Sequence, residues 1–232
     1  MSREINKQMP LGIDVADRIK RICSYVRKGE PLYDLCCDHG LIGAYAYEQK
    51  LTPEIFMVDR SPRVIKLLKE RCQTYLPKNA RRHILCQDAK NIVISHNRAS
   101  VVIAGVGGKT IETILRGIDP QNCGDFRLIL APLKIAYPLR QFLRERHWKL
   151  VAEELVLEKG RFRELIILER QGEEVSDFGR QIWQQPFAAD YLRFLSELYR
   201  LRRQRNPHAD KELLAFETFQ ESFTQSSYMK EN

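Results

Sequence analysis

The sequence predicts a doubly wound α/β fold, a mostly parallel sheet with helices on both faces. Three observations carry this reading. Apolar runs of strand length alternate with stretches of helical periodicity from Leu32 to Arg146. Three successive strand-like runs carry a carboxylate at or just past their carboxyl end: Asp34, Asp59 and Asp88. Two β-rich runs then follow each other, joined by Lys159-Gly160-Arg161, which is a hairpin signal.

Each element has its own warrant. Asp14 to Arg27 spaces Val15, Ile19, Ile22 and Val26 on one helical face, with Asp14 as the expected N-cap. Leu32–Cys37 is a strand and Leu41–Glu48 a helix. Glu54–Asp59 is a second strand, and Pro62 opens a helix to about Tyr75, where proline suits the first turn. His83–Gln87, Ser100–Ala104 and Arg127–Ala131 are three further strands, the last stopped by Pro132. Helices are expected over Lys109–Arg116 and Tyr137–Arg146. Trp148–Leu157 and Arg163–Glu169 form the hairpin, which places one strand antiparallel. Beyond Gly172 no strand pattern remains; Phe187–Arg205 and Lys211–Phe223 read as two helices separated by Asn206-Pro207.

The chain has 232 residues, of which 44% are hydrophobic, enough for one packed domain and an appendage. No stretch approaches the roughly 18 apolar residues of a membrane span. Met1 to Pro10 is polar and lacks a signal-peptide core, so a cytoplasmic protein is expected. The six cysteines, at 23, 36, 37, 72, 86 and 123, include no Cys-x-x-Cys pair and no zinc-finger spacing. They are expected to be small buried hydrophobes, and no metal site is expected. The net charge of +8 is unevenly placed: residues 1–171 carry 30 Lys+Arg against 20 Asp+Glu, and residues 172–232 carry 8 against 10. A basic core suits an anionic partner such as nucleic acid.

Open α/β sheets bind ligands outside the carboxyl ends of their strands. Asp59, 25 residues after Asp34, is placed to bond both ribose hydroxyls of an adenosine cofactor, or else to cap the Pro62 helix. Asp88 could accept from an adenine amine, or serve as a turn aspartate. Gly105-Val106-Gly107-Gly108 lets a ligand approach backbone N–H groups before a helix. It lacks the Gly-Lys-Ser/Thr ending of a phosphate loop, and no complete nicotinamide fingerprint follows the first strand.

Taken together, Asp34-x-x-x-Asp38-His39, Ala104-Gly-x-Gly-Gly108 and Arg127-Leu-Ile-Leu-x-Pro132 resemble the TrmK family, bacterial tRNA (adenine-22-N1)-methyltransferases. The run Leu155 to Glu169, with Gly160 and Glu164, is similar as well. The resemblance covers about residues 14–170 and continues loosely beyond. This sequence reads as a diverged branch: Cys36-Cys37 stands where the family has Gly-Ser, Val106 where it has Met, and Ala131 where it has Gln. Because cysteine lacks glycine's backbone freedom, the turn at Cys36 is expected to keep ordinary φ/ψ values.

The resemblance implies a seven-stranded class I methyltransferase sheet over residues 1–171 and a C-terminal helical hairpin over 172–232. It implies S-adenosylmethionine as cofactor and tRNA as partner. The cofactor would lie against Asp34, Cys36, His39, Gly40, Asp59, Arg60, Gln87, Asp88, Ala89 and Gly105, and the acceptor base against Val106, Gly107 and Gly108. Asp38 is the candidate catalytic residue, orienting the adenine amine or stabilising the cationic product; the competing role is to order the cofactor loop. His39 would contact cofactor or tRNA, or start a helix. Arg140, Arg144, Arg161 and Arg163 are the candidate phosphate contacts, with Arg146, Arg200, Arg202, Arg203 and Arg205 behind them; a solvated helix face is the alternative for each. A monomer or weak homodimer is expected. The rival functions are methyl transfer to another RNA or nucleobase, and a silent cofactor- or RNA-binding module.

Overall fold

The computed structural model describes residues 13–118, 124–134, 136–205 and 211–228, with side chains as far as residue 223. The chain runs through α1 (Asp17–Ser24), β1 (Leu32–Leu35), α2 (Leu41–Glu48), β2 (Glu54–Asp59), α3 (Pro62–Tyr75) and β3 (Arg81–Cys86). It continues with β4 (Arg98–Ala104), α4 (Gly108–Leu115), β5 (Asp125–Ala131), α5 (Tyr137–Glu145), β6 (Lys149–Glu158) and β7 (Arg161–Glu169). A two-residue strand β8 (Glu173–Glu174), α6 (Ala188–Arg205) and α7 (Lys211–Tyr228) complete it.

The strands form one sheet in the order β3-β2-β1-β4-β5-β7-β6-β8. β1 to β5 are mutually parallel, whereas β7 runs antiparallel to both β5 and β6. Strand order reverses between β1 and β4, and this switch point is where such sheets open a ligand crevice. The central strands read as continuous apolar runs because both of their faces are buried. Tyr33, Leu35, Val101, Ile103, Leu128 and Leu130 join one core cluster with residues of α4 and α5. Their neighbours Leu32, Val102, Ala104, Ile129 and Ala131 join a second with α1 and Ala46 of α2.

The sheet has eight strands where seven are expected. The extra one is a short edge piece in which Glu173 and Glu174 pair with Leu150 and Lys149. α1 starts later than expected: Ala16, not Asp14, is its N-cap, and no side chain caps it. Among the described cysteines, Cys23, Cys37 and Cys72 are buried, but Cys86 is exposed because β3 is a sheet edge; Cys123 lies outside the described residues.

The helical extension packs on the sheet's antiparallel end. Phe178, Ile182, Tyr191, Leu195, Tyr199, Leu213 and Phe216 share a buried cluster with Tyr137 of α5 and Leu155 of β6. Among the described residues no helix is long and apolar enough to cross a membrane.

Candidate active site

The loop from β1 to α2 is built on carboxylates. Asp34 is fully buried and accepts a hydrogen bond from Gly43 N–H at 3.2 Å. It thereby serves the first turn of α2, whose own N-cap, Gly40, has no side chain to do so. Burial, together with the nearby charges of Asp59 and Asp38, pushes the Asp34 carboxyl up to about 7, against the hydrogen bond from Gly43. Gly40 has φ +67, and a Cβ there would overlap Leu68 and press on Met57. Only glycine fits this close approach of loop to helix.

Two residues of the loop adopt left-handed backbone without being glycine: Cys36 at φ 61 and Asp38 at φ 47. Cys36 thus departs from the ordinary φ/ψ values expected of it. The turn retains the conformation a glycine would take, and the chain carries the strain, of order 1 kcal/mol per residue. Burial, and then Asp59, Asp34 and Asp88, raise the Cys36 thiol to about 11. It stays protonated at neutral pH and is a poor nucleophile.

At the end of β2, Asp59 holds the loop in place. One carboxylate oxygen accepts from Asp38 N–H at 3.3 Å and the other from Ser61 N–H at 2.9 Å. The N-cap of α3 is Ser61, whose hydroxyl accepts from Val64 N–H. Asp59 is therefore free of the capping role and keeps unused acceptor positions. Gln87 N–H is bonded to Asp59 C=O at 3.1 Å, which joins the ends of β2 and β3. Asp88 caps the 3₁₀ turn Ala89–Asn91 through Lys90 N–H, so its turn role is real. Ala89 is buried beneath it, and Arg60 is exposed at the mouth. Asp38 and His39 are both exposed, 3.4 Å apart between carboxylate and ring nitrogen.

Across the switch point, Gly105 has φ 74 and opens onto empty space, as does Gly107, the N-cap of α4. Gly105 N–H bonds Ala131 C=O and Leu133 N–H bonds Val106 C=O, so the loops after β4 and β5 are tied to each other. Gly108 begins α4 close to Leu139. Thus Asp34, Cys36, Asp38, His39, Gly40, Asp59, Asp88 and Gly105 to Gly108 lie at or just past the carboxyl ends of the adjacent strands β1 to β4.

The arginines divide. Arg140 is 1% exposed and bridges Glu164 at 2.6 Å and Glu153 at 2.8 Å. It cannot reach a phosphate, and its place among the RNA contacts is corrected: α5 turns it into the interior, where two carboxylates neutralise it. Arg144 bonds Asp177 and Val175 C=O, which also gives it a structural task, tying α5 to the segment after β8. Arg161 is exposed at the hairpin tip, next to Lys159 and Gly160, both at positive φ. Arg163 is half-buried, bonded to Leu133 C=O at 3.0 Å. On α6, Arg200, Arg202 and Arg203 each pair with a glutamate: Glu197, Glu212 and Glu217. The Arg140–Glu164 bridge was missed from sequence, although Arg140 falls on the apolar stripe of Ala136, Leu139 and Leu143. An arginine at such a position signals a buried carboxylate partner.

The general methyltransferase domain family matches residues 15–166, and the chain belongs to that family. A comparison with curated proteins found no match. Among solved structures, Sp1610 from Streptococcus pneumoniae, assigned as a tRNA (m1A22) methyltransferase, is similar with a TM-score of 0.75 and 20% identity over 90% of this chain and 99% of that one. The m1A22 tRNA methyltransferase TrmK of B. subtilis is similar with a TM-score of 0.71 and 17% identity, over 90% and 95%. TrmK of M. capricolum, solved with S-adenosyl-homocysteine, gives a TM-score of 0.71 and 13% identity, over 93% and 98%. At these identities the likeness is one of fold.

Proposed function

We propose that the protein transfers a methyl group from S-adenosylmethionine to N1 of an adenine in tRNA, the position-22 adenine of the D-arm. The observation that carries this reading is the carboxylate cluster at the carboxyl ends of β1, β2 and β3, Asp34, Asp38, Asp59 and Asp88, with an open glycine loop after the neighbouring β4. Its negative field suits a cationic ligand, and S-adenosylmethionine carries both a sulfonium and an ammonium group. Asp59 would hold the ribose hydroxyls with its remaining acceptor positions, and Asp88 with buried Ala89 would border the adenine. When bound, the cofactor supplies an activated methyl group.

The chain's own work is alignment and electrostatics. N1 carries a lone pair, so no nucleophilic side chain is needed, and positioning alone can contribute about 7–11 kcal/mol. N1 lies on the Watson–Crick edge, so the base must leave its stack to be reached. The backbone of Gly105 to Gly108, open on its solvent side, would receive it. Methylation makes the base cationic, and Asp38, exposed at the loop tip, would stabilise that charge.

The reading is tested by calorimetric titration of S-adenosylmethionine alongside transfer of labelled methyl to unmodified bulk tRNA. Wild type should bind and transfer. Asp59→Ala should lose cofactor affinity, whereas Asp38→Ala should lose turnover with little change in cofactor affinity. Equal loss of both in Asp38→Ala would reject its catalytic role in favour of loop ordering.

A further inference from the structure

β7 pairs antiparallel with β5, with Leu130 opposite Ile166, so residues 161–164 project past the carboxyl end of β5. Between this projection, the loop after β5 and α6 lies a cavity of about 480 Å³. Its size suits a small organic group such as a nucleoside. Four aromatic residues line it, Phe162, Tyr191, Phe194 and Tyr199, and Phe162 lies 5.2 Å from Tyr191 and 5.6 Å from Phe194, centre to centre. Phe194 is 45% exposed, a large apolar ring left uncovered on α6. The Tyr191 hydroxyl is committed to Glu164 at 2.7 Å, so the cavity is offered ring faces, not this donor. Lys134, Arg163 and Arg202 line the same cavity with Glu164 and Glu212; Glu212 pairs with Arg202 and Glu164 with buried Arg140, which leaves Lys134 and Arg163 as its cations toward a ligand.

Aromatic faces with flanking cations are the chemistry of a base-stacking site for single-stranded nucleic acid. The cavity adjoins the acceptor loop, because Leu133, which lines it, donates its backbone N–H to Val106 C=O. It is nevertheless not the methyl-transfer position. β7 stands three strands from β1, roughly 14 Å at the usual interstrand spacing, too far for a methyl group held at the β1 loop. Extruding one base also leaves its neighbour's face unstacked.

We propose that this cavity takes the base of an unpaired nucleotide flanking the methylated adenine, stacked on Phe194 with Phe162 against its edge, and with its phosphate against Arg163 and Lys134. This rests on the reading of the protein as a tRNA methyltransferase.

The test is steady-state methyl transfer to tRNA by wild type and Phe194→Ala, with S-adenosylmethionine binding and thermal melting measured on both. Loss of one base–aromatic stack should raise KM for tRNA roughly 5- to 150-fold, leaving kcat, cofactor affinity and melting temperature close to wild type. A photoreactive benzoylphenylalanine at position 194 should crosslink a nucleotide adjacent to the methylated one. An unchanged KM in a variant that still methylates tRNA overturns the stacking site and spares the reaction. Parallel losses in kcat, cofactor affinity and melting temperature overturn it in favour of a packing role for Phe194. Absence of methyl transfer to tRNA by wild type removes the functional reading, and the stacking site with it.

Discussion

Asp34 shows how a single residue couples the fold to its ligand. Its carboxyl is raised from 3.8 to about 7, chiefly by burial. The folded state therefore prefers the protonated form. Asp34 stabilises the fold fully below about pH 4, and that contribution, of order 4 kcal/mol, is lost as pH rises through about 7. Asp34→Asn should flatten this dependence, so that the ligand-free variant outlasts wild type in thermal melts at pH 8 while the two converge near pH 4; identical pH profiles would show that Asp34 is not the titrating group. A bound cation favours the ionised form, so S-adenosylmethionine affinity should increase between pH 6 and pH 8. Cys36 makes a separate prediction. Relief of its left-handed strain, net of glycine's greater chain entropy, should make Cys36→Gly more stable by about 0.5–1 kcal/mol in urea unfolding; a loss of stability would mean that packing of the thiol outweighs strain. The carboxylates at strand ends were legible because residue type and spacing name them. The φ of Cys36 was not, because closing the loop between Asp34 and Gly40 sets it, not the residue's own preference.

Arg140 links four elements: it leaves α5, meets Glu153 on β6 and Glu164 on β7, and through Glu164 reaches Tyr191 of α6. Removing it leaves two buried carboxylates without their cation. Arg140→Met should lower stability by about 3–5 kcal/mol in urea unfolding, whereas Arg144→Ala, at a half-exposed ion pair, should cost less than about 1 kcal/mol. Similar values for the two would deny Arg140 its buried role. Elements buried on both faces were readable as apolar runs, which is why β1, β4 and β5 stand out. β3 extends back to Arg81 beyond its apolar part, since an edge strand tolerates charge on its open side. β8 had no readable signal at all: its two glutamates belong to the sheet only through Lys149 and Leu150, and Lys149 pairs with Glu174.

The whole molecule joins a basic methyltransferase sheet to a helical extension of slight negative charge, in which Arg193, Arg200, Arg202 and Arg203 pair with its own carboxylates. On the proposed function, the field that would draw RNA therefore belongs to the sheet, and Arg161 is exposed at its hairpin tip. Arg161→Ala should weaken tRNA binding and reduce the slope of log affinity against log salt by about one; an unchanged slope would place the RNA elsewhere. Fold and charge asymmetry were readable because they are sums over many residues. The aromatic cavity was not, because Phe162 and Phe194 are 32 positions apart and meet only when α6 folds back on the hairpin. The central claim, adenine-N1 methylation of tRNA, is tested most directly by nucleoside mass analysis of unmodified tRNA after incubation with the protein and methyl-labelled S-adenosylmethionine. The account predicts label in 1-methyladenosine. Label confined to any other nucleoside, or none in the presence of measurable cofactor binding, would contradict it.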